Sequence, residues 1–244
     1  LPVIMQVDSA APVVSAQCWV ATGSQHENQF AGSGLSHLLE HMVFKGTNSF
    51  TGAELATTVN SMGGQWNAYT SFDRTVYYID GPSASCDTFL RVLFELVFQP
   101  RFPEADFETE RDVIRREIDM GKDDPDSAAS ELLFRTFFQH DLRRHPVIGY
   151  RRCFDALTYD NMVEYHRSRY CPSNSILVLS GDFDPVNAMS VLEEMGGSVP
   201  FRPLAPTIAQ TEPRQLGQRR ARMPFAIPVS KTTLAWKTPG LDHP

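Results

Sequence analysis

The sequence predicts a mixed sandwich of α/β or α+β class, on three observations. Strand-like runs and segments of helical period follow one another in irregular order, which argues against a strict βαβ repeat. Apolar residues make up 42% and charged residues 21% of 244, the balance of an ordinary globular chain. A chain of that length buries about 70% of its unfolded surface, so it needs neither disulfide nor metal merely to fold.

Residues 13–21 (VVSAQCWVA) alternate as a strand and stop at Gly23-Ser24, with Cys18 reading as a small core residue. Gly32-Ser33-Gly34 opens a helix that runs to about Lys45, where Gly46 supplies the stop. A second helix spans Gly52 to Met62 and ends at Gly63-Gly64. Residues 65–70 (QWNAYT) and 74–80 (RTVYYID) form two strands around a turn at Ser71-Phe72-Asp73. A helix from Cys86 to Val97 ends before Pro100, and Pro103 starts a long one from Glu104 to about Gly121. Another runs from Pro125 to roughly His140, then an irregular basic region at 141–153 precedes a helix near Tyr159–Arg169. Residues 175–180 (SILVLS) are a nearly continuous apolar run, the mark of a buried strand. Gly181-Asp182 turns the chain into a helix from Pro185 to Met195. Prolines at 200, 203, 206 and 213 mark a linker, and 229–236 (VSKTTLAW) begins a new strand.

The net charge of −7 argues against nucleic acid or anionic membrane as a partner, since both are held by clustered positive charge. The one dense basic stretch, Arg214 to Arg222, reads as a solvated linker. No run approaches the roughly 18 apolar residues of a membrane span. Leu1-Pro2-Val3-Ile4-Met5 lacks the basic start and apolar core of a signal peptide, and the missing initiator Met predicts a processed start. The four cysteines form no C-x-x-C pair, which disfavours a cysteine zinc site or redox dithiol and leaves the compartment open. Neither a G-x-S-x-G elbow nor a phosphate-binding glycine loop is present.

The stretch that carries chemistry is Gly34 to Thr47, GLSHLLEHMVFKGT. At 100° per residue, Leu35, Leu38, Leu39, Met42 and Val43 share one stripe, and His37, Glu40 and His41 fall opposite. Two imidazoles one turn apart can reach a single ion at about 2.0–2.1 Å. Glu40 is angled aside, where it can hold a water instead of ligating the metal. Composition alone gives such a triplet an expectation of roughly 0.01 per chain. Catalytic zinc takes three protein ligands and a water, and the strongest candidates for the third lie on the long helix. Glu110 and Glu117 share a face two turns, or about 10.5 Å, apart, with Phe107, Ile114 and Ile118 as the packing stripe. On composition alone, both read first as solvated partners of Arg111, Arg115 or Arg116. His26, His140, His145, His166 and His243 show no ligand spacing. QWNAYT reads either as ordinary sheet positions or as an edge that accepts an extended peptide.

H-x-x-E-H inverts the H-E-x-x-H zincin motif and is the mark of inverzincins. With GSQHE upstream, GLSHLLEHMVFKGT closely resembles the insulinase/pitrilysin family of zinc metallopeptidases, which includes mitochondrial processing peptidase and its bacterial relatives. The resemblance continues through GGQWNAYTSFDRTVYY at 63–78, ERDVIRREI at 110–118, DDP at 123–125 and YCPSNSILVLSGDFDP at 170–185, nearly the whole chain. It implies a two-layer lobe of the processing-peptidase type, a mixed sheet with helices packed on one face. It also implies one Zn2+ held by His37, His41 and Glu117, with Glu40 as general base on zinc-bound water. Glu110 becomes a supporting carboxylate of the catalytic site, and Asn67-Ala68 the strand edge that binds substrate. Arg116 departs from the two adjacent acids common in the family, which bears on local electrostatics and leaves the ligand position intact.

The implied activity is zinc-dependent endopeptidase, hydrolysing peptides or unfolded protein segments. The alternative is a non-catalytic structural or partner subunit of the same fold, although such relatives usually lose part of the motif. The implied organisation is a zinc-binding catalytic lobe over 1–212, then a linker and the first strand of a second, truncated lobe over 213–244. A second lobe or partner subunit would close over the site. The bacterial relatives favour bacterial cytoplasm or periplasm over the mitochondrial matrix.

Overall fold

A computed structural model of the chain describes residues 1–208 and 210–238. Five strands and eight α-helices follow in the order β1 (Val3–Val7), β2 (Val13–Val20), α1 (Leu35–Val43), α2 (Gly52–Ser61), β3 (Gln65–Thr70), β4 (Thr75–Pro82), α3 (Cys86–Phe98), α4 (Glu104–Asp123), α5 (Pro125–Phe137), α6 (Arg151–Asp155), α7 (Tyr159–Arg169), β5 (Ser175–Gly181) and α8 (Pro185–Gly196). The strands form one mixed sheet in the order β1-β5-β2-β4-β3. β1 runs parallel to β5, and the other neighbours are antiparallel.

Period-two alternation divides the sheet into two unlike faces. Val14, Ala16, Cys18 and Val20 of β2, Tyr77 and Ile79 of β4, and Leu177 and Leu179 of β5 are buried under the helices. One row of the register crosses all five strands on this face, Met5–Leu179–Ala16–Ile79–Trp66. The opposite face carries Ser15, Gln17 and Trp19 of β2 and is only half-buried. The two-layer, one-sided arrangement that the resemblance implies is therefore the one observed.

α3 shows why a mixed layer is stable here. Nine of its thirteen residues are buried, because it packs on β2 and β4 on one side and α8 on the other. α1 has the narrower stripe of a surface helix. Leu35, Leu38, Leu39, Met42 and Val43 are each fully buried, and each such side chain contributes about 1.5–3 kcal/mol relative to exposure.

Four segments differ from the sequence reading. α6 forms within and just beyond the basic region 141–153, which reads as irregular; the Arg151–Asp155 pair one turn apart and the buried Phe154 hold it. β1 was not expected; among the described residues its backbone pairs only with β5, far away in sequence, with no hairpin to signal it. α5 stops at Phe137, short of His140: the Phe138 amide makes the last helical bond, to the Phe134 carbonyl, and the three amides after it turn to another acceptor, the Glu212 carboxylate, which takes the N–H groups of Gln139, His140 and Asp141. Residues 229–236, expected as a strand, form none. A strand needs a neighbour for its N–H and C=O groups, and this segment pairs with neither sheet edge. His243 and the end of the 213–244 segment lie outside the described residues. Among the described residues, no helix is long and apolar enough to cross a membrane.

Candidate metal centre

α1 starts from Gly34 in the left-handed region, with φ 74°. Its first amides have no capping side chain at that position, and the orphaned donors are met from upstream. Glu27, only 1% exposed, accepts from the Ser36 amide at 2.9 Å and the Ser33 hydroxyl at 3.4 Å. A carboxylate against a helix N-terminus complements the helix dipole. The loop before α6 closes from outside, where the Tyr150 amide donates to the Gly32 carbonyl at 2.8 Å. The helix that bears the histidines is thus fixed at its start by two separate stretches of chain.

Burial without a cation pushes the Glu27 carboxyl up to about 7, against the lowering hydrogen bonds from Ser36, Gly34 and Ser33. An acid raised in the folded state contributes stability that is full below its ordinary value of 4.5 and is lost as pH rises to about 7. At about 1.4 kcal/mol per unit this amounts to roughly 3 kcal/mol. The metal-free Glu27→Gln variant is therefore expected to lose roughly 3 kcal/mol less than wild type between pH 4.5 and pH 8. Denaturant titrations at the two pH values measure it; equal losses in both proteins would refute the assignment.

On the polar side of α1, His37 and His41 stand with ring centroids 4.7 Å apart, at 70°. α4 crosses α1 and brings Glu117 Oε2 to 3.8 Å from the Nε2 atoms of both histidines. One donor atom from each of the three lies within 4.8 Å of the others. Tetrahedral zinc with bonds of about 2.0–2.1 Å needs donors about 3.4 Å apart; the two Glu117–histidine separations of 3.8 Å lie within about half an ångström of that, and the 4.8 Å span of the set within about 1.5 Å. Burial pushes His37 down to about 4, which keeps that imidazole neutral with a lone pair for a cation. Two imidazoles and a carboxylate are a donor set suited to zinc.

Two turns earlier on α4, Glu110 binds the far side of the pair. Its Oε2 lies 3.0 Å from His41 Nδ1, and its Oε1 2.5 Å from Lys45 Nζ. Burial raises the Glu110 pKa, but the bonds to Lys45 and His41 more than offset this and leave it below its ordinary value. A carboxylate on Nδ1 places the proton there and turns Nε2 towards Glu117, the usual support for a ligating histidine. His37 Nδ1, by contrast, is buried with no partner among the described residues. Arg116 is exposed.

Glu40 faces β3 instead of the two histidines' partner helix. The Thr70 hydroxyl donates to its Oε2 at 2.5 Å. Burial raises the Glu40 pKa, with Thr70 and His41 lowering it and Glu117 adding to the rise; the net shift is upward. Two residues back along the strand, about 7 Å away, the Ala68 amide is taken by its own neighbour's Asn67 Oδ1 at 2.8 Å and not by β4. β3 is an edge of the sheet, so Ala68 presents its main chain to the open side. His37, His41, Glu117, Glu40 and Glu110 therefore meet in one place, and Asn67-Ala68 lies on the strand that borders it.

Three contacts escaped the sequence reading. Lys45 is one turn beyond His41 and could have been found from that spacing. Thr70 shares the period-two face of Ala68, a weaker signal. Glu27 lies in GSQHE, but nothing in its spacing shows that it reaches the helix N-terminus.

An α/β lobe whose H-x-x-E-H helix is crossed by a carboxylate-bearing helix defines an inverted zincin-type peptidase lobe. The chain belongs to the insulinase family of peptidases (peptidase family M16), whose sequence profile matches residues 2–149. The profile of the peptidase M16 inactive domain matches residues 156–244. An uncharacterized zinc protease of Mycobacterium leprae is 29% identical over 198 residues, 81% of this chain and 44% of its own length. One of Bacillus subtilis is 29% identical over 180 residues, 74% of this chain and 44% of its own. The crystal structure of a protease from Helicobacter pylori superposes with a TM-score of 0.83 at 25% identity, covering 89% of this chain and 53% of that one. The chain thus spans about half the length of the curated relatives it matches.

Proposed function

We propose that the chain is the metal-bearing lobe of a zinc-dependent endopeptidase that hydrolyses peptides or unfolded protein segments. The observation that carries this reading is the convergence of His37 Nε2, His41 Nε2 and a Glu117 carboxylate oxygen, with donor atoms within 4.8 Å. These three would hold the ion, which when bound supplies Lewis acidity that acidifies water and polarises a peptide carbonyl.

The remaining work falls to the chain's own groups. Glu40, not a ligand and raised in pKa by burial, takes the proton from the attacking water and can return it to the leaving amine. Glu110 holds the His41 ring in one tautomer. The open edge of β3 at Asn67-Ala68 receives an extended peptide as an added strand, through main-chain hydrogen bonds that ignore side-chain identity. Such an edge favours unfolded segments, which are free to lie extended along it.

We place one lobe over residues 1–212, because β5 lies between β1 and β2 and cannot belong to a separate unit. Residues 213–244 then lead towards a second lobe or partner subunit that closes over the site, in keeping with relatives about twice as long. Its bacterial relatives favour the bacterial cytoplasm or periplasm over the mitochondrial matrix as its compartment.

The protein in its complete natural form should bind one zinc per lobe of this type and cleave unstructured peptides in a chelator-sensitive way. His37→Ala, His41→Ala and Glu117→Ala should each lose stoichiometric zinc. Glu110→Ala should weaken zinc by about 10–100-fold, the usual effect of removing a ligand's hydrogen-bond partner. Metal analysis and competition with a chelator measure both. A folded wild type without zinc affinity would sink the site; full zinc without cleavage of any peptide would identify a non-catalytic subunit.

A further inference from the structure

Glu40 sits on α1, yet its only side-chain hydrogen bond among the described residues comes from another element. Thr70, the last residue of β3, donates its hydroxyl to Glu40 Oε2 at 2.5 Å. The surroundings fix the direction of that bond. Thr70 pairs across the sheet with Thr75, and the two hydroxyl oxygens are 3.4 Å apart. Thr75 is fully buried and donates its single proton to the Thr22 carbonyl at 2.9 Å, so it has none to give. Thr22 is itself held, since its hydroxyl oxygen accepts from Arg169 Nε at 3.1 Å and Asn174 Nδ2 at 2.9 Å. Thr70 therefore keeps its proton for a carboxylate, the strongest acceptor nearby. With Oε2 held by Thr70, Oε1 takes no side-chain hydrogen bond among the described residues.

Thr70 also belongs to the strand edge. Ala68, two residues back, turns its amide away from β4. Thr70 has the same parity, so a peptide laid along this edge meets the main chain of both residues. We propose that Thr70 is a positioning residue for Glu40. Its hydroxyl sets the base, and its place on β3 couples docking of an extended peptide to alignment of that base. This rests on the reading of Glu40 as the general base.

The experiment compares Thr70→Val, which keeps shape and strand propensity but removes the donor, with Thr70→Ser, which restores it. The protein is used in its complete natural form with unstructured peptides as substrates. Thr70→Val is expected to lower kcat by about 10- to 100-fold, the weight of a hydrogen bond to a charged group, with KM within about threefold and zinc affinity by chelator competition unchanged. Thr70→Ser is expected to recover kcat to within about threefold of wild type. Crystal structures of the metal-free variants should show the Glu40 carboxylate turned off β3 in Thr70→Val and back in place in Thr70→Ser. Wild-type kcat in Thr70→Val, or a Thr70→Ser no better than it, would overturn the proposal. Glu40→Gln run alongside separates the two levels. If it is inactive while Thr70→Val is normal, only the role of Thr70 fails; if it turns over normally, the base assignment fails as well.

Discussion

Glu40→Gln is expected to leave a zinc-loaded protein that cleaves peptides about 10²- to 10⁴-fold more slowly than wild type, the range lost with a general base. Gln keeps the size of the side chain and an oxygen to accept from Thr70, but it cannot take up a proton at neutral pH. Zinc should be retained because Glu40 is not among the three residues whose donor atoms converge, His37, His41 and Glu117. The fold should hold as well, since neutralising a carboxylate raised in pKa by burial removes a desolvation cost. The combination is diagnostic. Metal analysis, thermal unfolding and kcat/KM on the same preparation should show full zinc, an unchanged or higher Tm, and a loss confined to turnover. Loss of zinc together with turnover would place Glu40 among the ligands and refute the division of labour.

Gly34→Ala should cost about 2–5 kcal/mol of stability and weaken zinc binding with it, although Gly34 touches no ligand. Two effects add. Its φ of 74° costs a residue with a Cβ about 1–2 kcal/mol. The new Cβ would also lie 2.1 Å from the Ile148 carbonyl oxygen, a backbone atom with little room to retreat, and such crowding costs about 1–3 kcal/mol. Relief requires α1 to shift from the 146–150 loop, which carries His37 and His41 away from Glu117. Gly121→Ala is the control. In α4 its Cβ would meet nothing within 4 Å, so it should stabilise the protein by up to about 1 kcal/mol. Chemical denaturation of the three proteins measures the contrast. A Gly34→Ala protein as stable as wild type would show that the loop is not a rigid stop.

These outcomes turn on contacts that the sequence shows unequally. The His37–Glu40–His41 constellation was legible because it is local: helical period alone places the three opposite the buried stripe of Leu35, Leu38, Leu39, Met42 and Val43. Glu117 and Glu110 were legible as a pair on one helix face, but not as ligand and support. That distinction depends on how α4 crosses α1, and spacing left them as surface partners for arginines until the family resemblance assigned them. The helices from Gly52, Cys86, Glu104 and Tyr159 and the strands β2 to β5 followed from period and punctuation. β1 did not, since VIMQV is short and finds its partner more than 170 residues later. The expected strand at 229–236 failed for the converse reason: local propensity was present and a partner was not. Glu27, Lys45 and Thr70 act through contacts between separate elements, and composition holds no trace of those.

The central place of β5 has a consequence for the order of events as the chain is made. β2 and β4 can pair as soon as both have left the ribosome, but the edge they offer on the other side is completed only by residues 175–181. β1, which precedes β2 in the chain, has no partner among the described residues other than β5. From the emergence of α1 to that of β5, translation at about 5–20 residues per second takes on the order of 10 s. Through that interval β1 and the free edge of β2 remain exposed to other chains, including nascent copies of the same protein. Nascent-chain crosslinking should therefore find β1 accessible until residue 181 has cleared the exit tunnel, and protected soon after.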